Sequence, residues 1–126
     1  MFLEHVNLTV SDVARSSAFY RELLGLKTRW EGTNDAGRPA VHIGGERFYI
    51  AMFQAEEPGR AKLDYDHVGL NHFGFVVEAL EEIKRRLSRL GIEVTQEADY
   101  EPGHRLYFLD PDGVEVEIIQ YDDVSR

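Results

Sequence analysis

Three side chains of this 126-residue chain have the types and placement that metal chemistry requires. In "LEHVNLTVSD" a strand read with period two puts Val6, Leu8 and Val10 on one face and His5, Asn7 and Thr9 on the other. In "LNHFGFVVEA" His72 takes the position that His5 holds in the first stretch. In "GVEVEIIQ" Glu115, Glu117 and Ile119 share a face opposite Val116 and Ile118. If these strands curl around a common cavity, His5, His72 and Glu117 form a facial set for one divalent cation, with positions left open for water or substrate. Fe(II), Mn(II), Zn(II), Ni(II) and Co(II) all suit two imidazoles and a carboxylate, and the residue types do not choose among them. The same residues also fit a bland arrangement, since a strand histidine and an acidic "EVE" edge are ordinary on a wet sheet face.

The elements that must position these groups come as a repeat. Leu3 and His5 match Leu70 and His72 at an offset of 67, Gly25 matches Gly91 at 66, and Gly45 matches Gly113 at 68. Each half reads as a strand (about 2–10 and 68–77), an amphipathic helix (about 12–24 and 78–90) and three further extended segments. Ser11 is the expected N-cap of the first helix, with Asp12 favourable to the helix dipole. Leu80, Ile83, Leu87 and Leu90 form a buried stripe in the second, and a glycine ends each helix. "DPDG" is a strong turn signal before the last strand. The polar stretch "QAEEPGRAKLDYD" reads as a linker. The expected fold is α+β, two tandem βαβββ modules forming a curved mixed sheet around a cavity with helices outside. It makes a single domain over 1–126, with module one about 1–54, linker 55–66 and module two about 67–122.

Bulk composition narrows the function classes. A formal net charge of −9 argues against nucleic acid or an anionic membrane as the main partner. The absence of cysteine excludes disulfides, thiolate metal sites and cysteine nucleophiles. No apolar run approaches the ~20 residues of a membrane span, and no signal peptide is evident, so a cytoplasmic location is expected.

"HxxLxVSDxxxSxxFYxxLLG" in the first half and "HFGFVV" with "YFLDPDGxxxE" in the second resemble the vicinal oxygen chelate superfamily over nearly the whole chain. That superfamily includes glyoxalase I, fosfomycin-resistance transferases, extradiol dioxygenases, methylmalonyl-CoA epimerase and bleomycin-resistance proteins. The resemblance implies a U-shaped cavity, a homodimer, a small-molecule substrate and one divalent metal held by His5, His72 and Glu117. The metal would chelate two vicinal oxygens of the substrate. Glyoxalase I has a fourth ligand where Gly45 plus four gives Tyr49, so a standard glyoxalase I site is not expected, and Tyr49 is left as a pocket-lining residue. Tyr107, ten residues before Glu117, matches an active-site tyrosine of the three-ligand members. Asn7 and Arg105 are assigned to substrate, Arg105 to an anionic group.

Two departures bear on the reaction. Glu97 stands where fosfomycin-resistance proteins carry a lysine, and Arg126 matches a phosphonate-binding arginine by position only. Ala98 stands where extradiol dioxygenases carry a catalytic histidine; His104 is nearby, and fits a solvated loop histidine equally. His42 and His67 match no family role. The alternative is a non-catalytic binding protein of the bleomycin-resistance kind, with Trp30, Tyr49, Phe53 and Tyr107 as aromatic walls.

Overall fold

A computed structural model describes residues 1–122. The chain divides into two compact units, Met1–Arg60 and Ala61–Arg126. The first contains β1 (His5–Val10), α1 (Val13–Leu24), β2 (Lys27–Thr33), β3 (Pro39–Gly44) and β4 (Tyr49–Gln54). The second contains β5 (His72–Val76), α2 (Leu80–Arg89), β6 (Val94–Tyr100), β7 (Gly103–Leu109) and β8 (Glu115–Tyr121). Each unit is a four-stranded mixed sheet, ordered β1-β4-β3-β2 and β5-β8-β7-β6. The first strand of each unit lies parallel to the last, and the other neighbours are antiparallel. The expected pair of βαβββ modules is therefore the observed architecture.

Alternation along the strands decides which face each helix covers. Val10, Val41, Ile43, Ile50 and Met52 are buried together with Phe19, Tyr20 and Leu23 of α1. Leu106, Phe108, Val116 and Ile118 are buried with Leu80, Ile83 and Leu87 of α2. Burying a side chain of this size contributes about 1.5–3 kcal/mol, so each sheet has one strongly specified inner face. A one-residue slip would reverse it.

Helix termini differ from expectation in one respect. The N-cap of α1 is Asp12, whose Oδ1 accepts from Arg15 N at 3.2 Å. Ser11 instead bonds Gly59, its Oγ donating to the carbonyl at 3.0 Å and accepting from the amide at 2.9 Å. The side chain one residue further along reaches the first-turn amides, and the serine ties down the chain beyond β4. A second cap recurs in both units. Gln54 at the end of β4 accepts from Val13 N at 3.1 Å, and Gln120 near the end of β8 accepts from Leu80 N at 2.8 Å. Gly25, at φ 69°, closes α1 in the left-handed region that glycine adopts freely. No helix among the described residues is long and apolar enough to cross a membrane.

Candidate metal and substrate site

The open face of the second sheet, opposite α2, gathers a charged cluster. Cross-strand register places His72 opposite Glu115, Gly74 opposite Glu117 and Tyr107 opposite Glu117. Both carboxylates are nearly buried, Glu115 at 7% and Glu117 at 6% exposure. His72 Nε2 stands 3.0 Å from Glu117 Oε1. Arg105 donates from Nη1 to Glu117 Oε2 at 2.8 Å, and its Nε is buried without a partner. The Tyr107 ring meets His72 edge-on at 5.7 Å. Burial above all, then the charge of Glu117, holds the Tyr107 hydroxyl above the usual phenol range, so it remains a proton donor at neutral pH. Burial, then the Glu117 charge, also raises Glu115 above the ordinary carboxylate value.

Glu115, placed by its parity, and two residues that sequence reasoning missed, Tyr65 and Asn71, complete this cluster. Glu115 shares the face of Glu117, a parity visible in "EVE". Tyr65, from the chain before β5, donates its hydroxyl to Glu115 and lies 3.3 Å from His72 Nδ1. Asn71 Oδ1 is 2.7 Å from the same nitrogen. Nothing in the pattern of a polar connecting segment marks Tyr65 as a partner of the sheet.

These donors fit a divalent cation. His72 has an oxygen atom beside each ring nitrogen, Asn71 Oδ1 at Nδ1 and Glu117 Oε1 at Nε2. The 3.0 Å between Nε2 and Oε1 is the length of a direct hydrogen bond between ring and carboxylate, and both atoms are donor types that a divalent cation takes. Two buried carboxylates with one guanidinium also leave the cluster short of positive charge.

In the first unit His5, Asn7 and Tyr49 lie on the sheet face opposite α1. His5 stacks on Tyr49 at 4.8 Å and 11°, with Nδ1 2.9 Å from Glu4 Oε1. On the other side Tyr49 stacks on His42 at 4.5 Å and 23°. Within neither unit, among the described residues, do three His, Asp or Glu side chains form a ligand group. His72 and Glu117 belong to the second unit and His5 to the first.

The register also revises the repeat. His5 pairs with Tyr49 and His72 with Glu115, so Tyr49 is the counterpart of Glu115, and Ala51, opposite Asn7, is the counterpart of Glu117. The glycines of the two turns, Gly45 and Gly113, are not equivalent, because the turn after β7 is one residue longer than the turn after β3. Tyr107 has His42 as its counterpart, each one step from the β-bulge in the neighbouring edge strand.

Other candidates fall away from the open faces. Glu97 pairs with Leu106 on the helix side and bonds Lys84 at 2.8 Å. His104 is exposed, with Nδ1 2.7 Å from Asp99 and Nε2 3.3 Å from Asp122. His67 is exposed and held by Asp64 at 2.9 Å. Phe53, by contrast, stays on the open face of the first sheet, half-buried opposite Ala40 and Thr9. Arg126 lies outside the described residues.

Comparison with known proteins places these features in a wider setting. Residues 2–118 match the Glyoxalase/Bleomycin resistance protein/Dioxygenase superfamily. A glutathione transferase FosA from Serratia marcescens is 29% identical over 120 residues, covering 92% of this chain and 78% of that protein. A lactoylglutathione lyase from Salmonella typhimurium is 29% identical over 139 residues, covering 100% and 97%. A solved glyoxylase/bleomycin resistance protein/dioxygenase domain from Frankia sp. EAN1pec superimposes with a TM-score of 0.83 at 26% identity, covering 98% of this chain and 94% of the other.

Proposed function

Because the chain belongs to the glyoxalase/bleomycin resistance protein/dioxygenase superfamily, we propose that it is a divalent-metal-dependent enzyme acting on a small molecule with two vicinal oxygens. His72, Glu117 and His5 are its metal ligands, and the working form is a homodimer in the cytoplasm. The single observation that carries this reading is the 3.0 Å approach of His72 Nε2 to a nearly buried Glu117 carboxylate. A divalent cation bound by these donors supplies Lewis acidity toward an oxygen substituent of the substrate.

The chain's own residues do the rest. Asn71 fixes the orientation of the His72 ring through Nδ1. Arg105 offsets the Glu117 charge and is assigned to an anionic substrate group. Tyr107, held protonated, donates its hydroxyl hydrogen to an oxygen on which negative charge develops. Asn7, exposed on the same face as His5, orients the bound molecule.

Elemental analysis of protein purified without chelator tests the proposal. About one equivalent of a transition metal per chain is expected, falling to a small fraction in His72→Ala. Metal-free wild-type protein that fails to take up Mn(II), Fe(II), Zn(II), Ni(II) or Co(II) would sink it. A second reading, non-catalytic sequestration of a small molecule, is favoured by one observation, the exposed ring of Trp30. Protein that takes up none of these metals yet still binds an aromatic ligand is its signature.

A further inference from the structure

The open face of the first sheet carries a second built feature, and it follows from a β-bulge. Thr28 pairs with Ile43 and Trp30 with His42, so Arg29 is an extra residue between two successive pairs. Thr28 faces α1, where its Oγ1 accepts from Arg21 Nη1 at 3.0 Å. Without the bulge, the alternation would send Trp30 to that same helix side. With it, Trp30 and Arg29 both reach the open face, where Trp30 meets His42 at 4.9 Å and Arg29 lies 4.9 Å from the Tyr49 ring centre.

The indole is held flat and left bare. A Cβ at Gly32 would lie 2.7 Å from Trp30 Cζ2 and 3.2 Å from Cη2, so the ring rests on a backbone position that only glycine leaves open. Its relative exposure is 45%. Only one of the Arg29 N–H groups has a protein acceptor, the Phe48 carbonyl at 3.1 Å, and no carboxylate pairs with it among the described residues. The nearby carboxylate of Glu4 is 2.9 Å from His5 Nδ1.

We propose that this face is the substrate-recognition platform and selects a planar aromatic carboxylate, its ring stacked on Trp30 and its carboxylate bound by Arg29. The assignment of substrate class rests on the reading of the open faces given above. An aromatic ring continues a row of ring contacts already spaced 4.5–4.9 Å apart, stacked from His5 through Tyr49 to His42 and tilted by 49° at Trp30. A carboxylate matches the forked donors that Arg29 leaves unused. The net charge of −9 favours cations at long range, but beyond about 10 Å that field is screened at moderate salt, and the adjacent guanidinium decides the sign.

Trp30 is the sole tryptophan, so its emission reports on this platform directly. The test titrates the protein, with EDTA present, with benzoate, cyclohexanecarboxylate and benzylamine, using tryptophan emission and calorimetry. Saturable binding of benzoate is expected, about tenfold tighter than either other probe, a difference of about 1.4 kcal/mol. Arg29→Gln should abolish the preference for benzoate over benzylamine. Gly32→Ala should weaken benzoate binding by displacing the indole, with circular dichroism checking that each variant is folded. Equal binding of benzoate and cyclohexanecarboxylate, tighter binding of benzylamine, or no effect of Arg29→Gln would overturn the proposal. Because metal is excluded from the titration, benzoate binding in protein that never takes up metal overturns the metal reading alone. Failure of benzoate in protein that does bind metal overturns the platform alone.

Discussion

Arg105 and Glu117 decide how the second unit tolerates charge on its open face. Their 2.8 Å ion pair has little exposure on either side, with Glu115 close by. Removing the guanidinium leaves an uncompensated buried carboxylate, which costs about 3 kcal/mol. Arg105→Met should therefore lower the urea-unfolding free energy by about that amount. Arg105→Met combined with Glu117→Gln should lose much less than the sum of the two single changes, because the double variant has no unpaired charge. Additive losses in that cycle would show that the pair is not coupled. The counterpart of Glu117 in the first unit is Ala51, which has no donor atom. The two sheets are similar in backbone and divided in chemistry, with carboxylates on one and stacked rings on the other.

At the level of elements, each sheet caps its own helix. Gln54 and Gln120 reach from β4 and β8 to the first amide of α1 and α2. Asp12 also caps α1, whereas the N-cap of α2 is Ala79, with no side-chain acceptor. Gln120→Leu should thus destabilise by about 1 kcal/mol, and Gln54→Leu by less, in paired denaturant melts. The β6–β7 hairpin predicts a pH effect. The hydrogen bond that His104 donates to Asp99 raises its value above the ordinary one, desolvation opposes this by less, and the charges of Asp99 and Asp122 add to the rise. A raised folded-state value means that the contribution of His104 to stability is fully present below about pH 6.5. It is lost as pH rises through the higher folded value. NMR titration of the imidazole should give a midpoint above 6.5 that falls in Asp99→Asn; an unchanged midpoint would count against the pairing.

For the whole molecule, the decisive quantity is linkage between ligand and fold. A metal that binds only the native state stabilises it by about 2.7 kcal/mol at a hundred times its dissociation constant. Adding Mn(II) to chelator-treated protein should raise the thermal midpoint, and EDTA should reverse the shift. His5→Ala and His72→Ala should each abolish it, although the two residues belong to different units. A shift that survives His5→Ala would remove that residue from the ligand set.

Much of this was legible in the chain. Strand alternation, the helix stripe and the repeated His5 and His72 determined two βαβββ modules and the open-face position of both histidines, because side-chain period and helix capping are local properties. Parity alone also put Glu117 beside Glu115. Tertiary structure decided the rest. Turn length moved the counterpart of Glu117 from Tyr49 to Ala51, since a glycine marks a turn without fixing its register. A bulge turned Trp30 and Arg29 to the open face, against the alternation of their own strand. Tyr65 found Glu115 from 50 residues away. Such contacts depend on where separate segments meet, and no local pattern of residues encodes that meeting.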